Sequence, residues 1–283
     1  MEEFRYIRPL NWAEAAAVLS ETADGKILAG GQTLIPTMKQ RLATPSDLFD
    51  IQHLSELDYV SITEQTNSLD TKTKFAQTVT IGAVTTHSSV AANEQLASLC
   101  PAICSLAGRI GDPAVRNLGT IGGSVANNDP AADYPAALMS LNAIINTQKR
   151  SINADKFFVG LYETALYEDE IILSISFKLP KLSGYSKFPN PASLYAMVGV
   201  FVSKFRSGTV RVAITGAGID GVFRHLGLEK KLESNFSPDI ARQTKIDAND
   251  LLSDLHCDSD YRAHLISVMA SEAVQTALND SQA

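Results

Sequence analysis

Two glycine-bearing segments hold the residues of this chain best suited to chemistry, and what they suit is a buried diphosphate. The longer runs from Ile110 to Asp133 and reads as one loop, crowding glycines and small side chains ahead of a downstream carboxylate, Asp133. Glycine lets a backbone approach an anion closely and lets successive N–H groups converge on its oxygens, so phosphate charge is met without lysine. A shorter segment, Ala29-Gly30-Gly31-Gln32-Thr33, follows the apolar run Lys26-Ile27-Leu28. Two such loops predict two walls of one nucleotide cleft. In Gly119-Thr120-Ile121-Gly122-Gly123 the Thr120 hydroxyl can donate to a phosphate oxygen, and Gln32 and Thr33 offer polar caps beside the upstream glycines. Either Gly-Gly pair alone would be a turn more often than a ligand loop.

Other motifs read as structure. Gly216-Ala217-Gly218-Ile219-Asp220-Gly221 matches the spacing of a dinucleotide fingerprint directly after an apolar run. A Rossmann site also needs a following helix, a second strand ending in an acid, and further βα units, and the helical remainder does not supply them. A turn after a strand accounts for it better. Arg116 either pairs with phosphate or braces the loop through its carbonyls, and bracing is favoured. The five histidines are dispersed, none in a motif with a nucleophile and a carboxylate, so no hydrolase constellation is apparent and no catalytic residue is assigned. His87, in Thr85-Thr86-His87, reads as a brace at a strand-to-helix junction.

Composition narrows the field. A chain of 283 residues is more than one core usually supports, so two or three compact units are expected. No apolar run approaches the roughly 18 residues a membrane span needs, and Met1-Glu2-Glu3-Phe4-Arg5 does not start like a signal peptide. A cytoplasmic protein without an integral membrane segment is expected. The net charge is −7 and basic residues are scattered, which argues against a nucleic-acid partner. Cys100, Cys104 and Cys257 are too few for a disulfide scaffold, an iron–sulfur cluster or a zinc site, and read as small buried hydrophobes.

The two glycine motifs in this order, with Ile81-Gly82-Ala83 and Thr85-Thr86-His87 between them, resemble the FAD-binding medium subunit of molybdenum hydroxylases, the carbon monoxide dehydrogenase and xanthine dehydrogenase family. The likeness runs from Phe4 and Tyr6 to Tyr261-Arg262-Ala263-His264-Leu265. It implies an α+β fold: a two-part FAD-binding unit of the vanillyl-alcohol-oxidase/PCMH type (1–55 and 56–178), then a C-terminal domain of short antiparallel sheet plus helices (179–283). It implies non-covalent FAD held by Leu28, Ala29, Gly30, Gly31, Gln32, Thr33 and Leu34, and by Ile110, Gly119, Thr120, Ile121, Gly122 and Gly123. Asp133 then accepts hydrogen bonds from flavin hydroxyls, against a plain role at a helix N-terminus. Lys187, Tyr195 and Ile172 fall where the family flanks the flavin ring, although each also suits surface or core. Leu194 and Pro191 stand where many relatives carry an acid and a base, which leaves the external acceptor open.

For function, the resemblance implies an electron-transfer oxidoreductase subunit: an iron–sulfur (2Fe-2S) small subunit delivers electrons drawn from a molybdopterin-binding large subunit, and FAD passes them to an external acceptor. A dimer of heterotrimers is the expected assembly. A stand-alone flavin-dependent oxidoreductase and a non-catalytic nucleotide-fold scaffold are the alternatives.

The elements that must position these residues follow from pattern. Asn11 and Glu14 form a capping box for an alanine-rich helix, 26–29 and 47–51 read as strands, and 34–41 reads as a helix between them, giving a βαβ-like unit. The polar interval 63–77 has hairpin character, 78–83 is a strand, and helical periodicity runs from Ser88 to Ala107. Pro135 to Met139 is a helical turn or more, while 143–147, 171–177, 195–202 and 210–215 alternate as strands. A boundary falls at 180–184, and 238–278 is helical.

Overall fold

A computed structural model describes residues 1–65 and 76–280. Its first sheet is parallel, with strands β1 (Arg5–Ile7) and β2 (Gly25–Leu28) both pairing with β3 (Asp47–Asp50). Helices α1 (Trp12–Ser20) and α2 (Leu34–Lys39) make the connections. Asn11 Oδ1 accepts from the Glu14 N–H at 2.9 Å, and Glu14 reaches back to the Leu10 N–H at 2.6 Å, one residue beyond the usual capping box.

The second sheet is antiparallel, ordered β4-β5-β10-β6-β7: β4 (Val60–Gln65), β5 (Ala76–Gly82), β6 (Ile144–Thr147), β7 (Ser151–Asn153) and β10 (Ile172–Lys178). Pairing of β4 with β5 fits the hairpin expected over 63–77, whose turn lies outside the described residues. Where sequence suggests one helix from 88 to 107 there are three, α3 (His87–Ala91), α4 (Glu94–Leu99) and α5 (Pro101–Gly108). Asn93 stops the run by capping the Leu96 N–H, and Pro101, which has no N–H to continue a ladder, restarts it.

The expected loop 110–133 is not one. It folds into α6 (Pro113–Leu118) and α7 (Ile121–Asn127), capped by Asp112 and Thr120, and leads into α8 (Asp133–Ser140). Its small residues let short helices turn sharply against one another, which a periodicity window of this length cannot register. After β7 come α9 (Ala154–Phe157) and a small hairpin, β8 (Phe158–Gly160) with β9 (Glu163–Thr164).

A third, antiparallel sheet runs β11-β12-β13-β14: β11 (Leu182–Pro189), β12 (Ala196–Lys204), β13 (Val210–Gly218) and β14 (Gly221–Arg224). The Gly216–Gly221 motif is the end of β13 and its turn into β14, as its weak context suggested. Strand β11 went unread because its small and polar residues, five of them buried, hide the period of two. Helices α10 (Leu226–Ser234), α11 (Pro238–Gln243) and α12 (Ser259–Asn279) complete the chain. Along α12, Leu265, Ile266, Met269, Ala270, Ala273 and Val274 form one buried face against the third sheet, each large side chain contributing about 1.5–3 kcal/mol of burial. Every residue of α8 is buried, because it packs between the middle core and strands β12 and β13. That sandwiched helix carries Asp133 on its first turn.

Candidate FAD site

A cavity of about 640 Å³ opens between the first glycine segment, helices α6 and α7, and the start of α8, a size usual for cofactor pockets. Leu28 to Leu34, Ile110, Gly119, Thr120, Gly122, Gly123, Asp133, Ile172 and Tyr195 all line it. The two glycine segments are neighbours in space. An added Cβ on Gly30 would lie 2.1 Å from the Leu118 carbonyl oxygen, so only glycine lets these backbones meet.

The chemistry of the walls differs from the sequence reading. At the start of α7 every N–H is already spent: Ile121 donates to the Thr85 carbonyl at 3.1 Å, Gly122 to the Ala83 carbonyl at 2.9 Å, and Ser124 to the Thr120 carbonyl at 3.0 Å. The Thr120 hydroxyl oxygen takes the Gly123 N–H at 3.1 Å. The expected backbone nest is closed there, and only the proton on the Thr120 hydroxyl is left to donate. On the first glycine segment α2 starts without a side-chain cap, and among the described residues the N–H groups of Gln32, Thr33 and Leu34 have no hydrogen-bond partner. Those donors, at the positive end of a helix, fit the charge of a diphosphate. Lys26 lines the cavity as well, so the walls are not wholly without a cation.

Arg116 braces: its guanidinium donates to the carbonyls of Ile110 and Gly111 at 3.0 and 2.8 Å. Two expected residues are not among those lining the cavity. Ile121 is fully buried in the middle core, where its helical position turns it. Lys187 is drawn away by partners: its ammonium meets Asp133 at 3.0 Å and donates to the carbonyls of Arg109 and Leu194 at 2.8 and 3.0 Å. It reaches the cavity wall only through Asp133 and the Leu194 backbone. Tyr185 also donates to Asp133, by a short hydrogen bond. Burial pushes the Asp133 carboxyl up, against the pull of the Lys187 ammonium and the Tyr185 hydroxyl.

Among the lining residues not expected from sequence, three carry polar groups with marked environments. Tyr162, at the tip of the β8–β9 hairpin with φ of 56°, donates to Asp129 at 3.2 Å. Glu170 is gripped at both oxygens by Arg150, at 3.0 and 2.9 Å; burial works upward on its carboxyl, but Arg150, Thr147 and the Tyr167 N–H hold it at about 2. His87, read only as a brace, lines the cavity with its Nδ1 buried and unpartnered; burial first, then the nearby Arg116 charge, lower its pKa to about 4. Neither hairpin register nor burial is visible in residue types, so no sequence signal marks these three.

A cleft lined by an uncapped helix start and a buried acid fits an anionic nucleotide ligand that also carries hydroxyls. Residues 2–181 match the family described as "FAD binding domain in molybdopterin dehydrogenase". The chain belongs to that family. It is 32% identical to the nicotine 6-hydroxylase medium subunit of Paenarthrobacter nicotinovorans, over 93% of each chain. It is also 32% identical to the carbon monoxide dehydrogenase medium chain of Hydrogenophaga pseudoflava, over 98% of this chain and 96% of that one. Its fold superposes on a chain of the reconstituted CO dehydrogenase from Oligotropha carboxidovorans with a TM-score of 0.86, at 28% identity, covering 100% of this chain and 99% of that one. The α+β architecture and the FAD-binding domain expected from sequence therefore stand. No helix among the described residues is long and apolar enough to cross a membrane.

Proposed function

We propose that this chain is the FAD-carrying, electron-transfer subunit of a heteromeric molybdenum hydroxylase, with a cofactor-binding unit at 1–55 and 56–178 and a C-terminal domain at 179–283. The observation that carries the reading is one cavity lined both by the uncapped start of α2 and by the buried Asp133. Gln32, Thr33 and Leu34 donate their N–H groups to the diphosphate, Thr120 adds its hydroxyl, and Asp133 accepts from ligand hydroxyls. Ile172 and Tyr195 bound the region of the ring. Bound FAD supplies two-electron storage with one-electron exchange. The chain's own part is to orient the cofactor, limit water around it and keep Asp133 in place through Tyr185 and Lys187.

In this reading, which follows the sequence resemblance, an iron–sulfur subunit feeds electrons in and a molybdopterin subunit oxidises the substrate; the words medium chain and medium subunit in the relatives' names fit a chain that works within a multi-subunit assembly. The three cysteines here are free and buried, which leaves the relay to a partner. The test is reconstitution. Apoprotein titrated with FAD should bind it at one equivalent and release all of it, unmodified, on acid treatment. A flavin that stays on the chain after acid, or no binding at all, would sink the proposal.

A further inference from the structure

Arg262 of α12 is 3% exposed and lines no part of the cavity, yet it sits at the end of a chain of hydrogen bonds leading there. Its Nη1 donates to the carbonyls of Met197 and Gly216 and its Nη2 to Asp254 at 2.6 Å, while Nε is buried with no hydrogen-bond partner among the described residues. Those two carbonyls belong to β12 and β13, where the strands meet the segment before α8. The segment is then held at three consecutive carbonyls. Pro130 accepts from the Gly216 N–H at 2.9 Å, Ala131 accepts from the Ala196 N–H at 3.3 Å, and the single Thr215 hydroxyl proton is shared between the carbonyls of Ala132 at 2.7 Å and Pro130 at 3.0 Å. The next residue is Asp133.

We propose that Arg262 and Thr215 are positioning residues for FAD, by which the C-terminal helix fixes the cavity wall that carries Asp129, Ala132 and Asp133. Arginine suits this place because its planar fork spans two carbonyls and a carboxylate at once, which a lysine ammonium on a flexible stem does not reproduce. Gly216 suits it too: its φ of 79° turns the N–H toward Pro130, and an added Cβ would lie 2.2 Å from the Ala196 carbonyl. The fingerprint-like glycines that bind no nucleotide thus serve the nucleotide site from outside it. The inference rests on the assignment of the cavity to FAD.

The experiment compares Thr215→Val, Thr215→Ser, Arg262→Lys and the Thr215→Val/Arg262→Lys double variant in the full chain, with Gly123→Asp as the site control. FAD dissociation constants, apoprotein Tm and the visible spectrum of bound flavin are read for each. Thr215→Val and Arg262→Lys should each weaken FAD binding roughly tenfold and shift the flavin band, Thr215→Ser should restore both, and the double variant should fall short of the product of the singles, because both act through one linkage. Lower Tm with FAD affinity within twofold of wild type in Thr215→Val and Arg262→Lys would overturn the proposal and leave a purely structural pair. Should Gly123→Asp keep full FAD affinity, the cavity assignment fails instead, and the two failures are told apart.

Discussion

At the scale of single residues, the glycines of the second segment divide into two kinds, and a mutation must respect the division. An added Cβ on Gly122 would come within 2.6 Å of the Ala83 carbonyl oxygen, so Gly122→Asp, the change that sequence alone suggests, probes folding. Gly123 is different: an added Cβ meets nothing nearer than Thr120 Oγ1 at 3.0 Å and Ala29 Cβ at 3.9 Å. Gly123→Asp should keep the fold and place a carboxylate beside the diphosphate, weakening FAD by about a hundredfold or more, near 3 kcal/mol. Fluorescence titration of the apoprotein checks this. Asp133→Ala removes more than a ligand contact, because it strands the Lys187 ammonium in the interior. Breaking one side of a buried pair costs about 3–5 kcal/mol, so urea unfolding should show a stability loss alongside a drop of about one to two decades in FAD affinity. Unchanged stability would mean the pair is not formed as described.

His87 gives a pH dependence with a definite sign. Its folded pKa of about 4 lies below the ordinary 6.5, so the unfolded chain binds more protons between these values. Stability therefore rises with pH across that window and is lost as pH falls through it. The loss between pH 7 and 4.5 is about 2 kcal/mol. Wild type and His87→Gln unfolded in urea at both values should differ by that amount in their pH sensitivity. Parallel losses in the two proteins would remove His87 as the cause.

At the scale of elements, what sequence reveals depends on whether local rules act alone. The capped start of α1, the strands β2, β3 and β10, and the glycine segment at 29–33 follow from caps, periodicity and glycine freedom, and each lies within about a residue of where sequence puts it. The 110–133 segment shows where such reading stops. Glycine and alanine announce flexibility, yet tertiary packing on Ala83, Thr85 and Leu118 turns them into two helices and spends the N–H groups a nest would need. Most of the residues expected at the site line one cavity, while the free backbone donors at the start of α2 were not legible, because capping depends on a partner that sequence does not place. Lys187 shows the same: the resemblance sets it near the flavin ring, and its hydrogen bonds to Asp133 and to the Arg109 and Leu194 carbonyls hold it behind the cavity wall. An element-level prediction follows for α2. Gly30→Ala would drive the first segment off Leu118 and should lower FAD affinity and apoprotein Tm together, whereas Gly123→Asp should lower affinity with little change in Tm; differential scanning calorimetry beside the titrations separates the two.

At the scale of the whole molecule, the cavity is lined from β2, from β10 and from the loop before β12, and in the proposed function electrons would cross its rim to and from other molecules. Around that rim the β8–β9 hairpin exposes Val159, Leu161 and Tyr162, and Tyr195 stands half open nearby. If the chain is one member of a hydroxylase, flavin loaded on it alone has no route to a hydroxylase substrate, because the oxidising centre belongs to a partner. The isolated holoprotein mixed with candidate substrates should therefore keep its yellow absorbance. Co-expression with a 2Fe-2S subunit and a molybdopterin subunit should give a heterotrimer, doubled to a dimer of trimers, by size-exclusion chromatography with light scattering. In that assembly substrate should bleach the flavin, and hydrogen exchange across residues 158–164 should slow relative to the free chain. Bleaching of the lone chain by a substrate of its own would replace the subunit assignment with a stand-alone flavin oxidoreductase, since no relay would then be needed to bring electrons to the cavity.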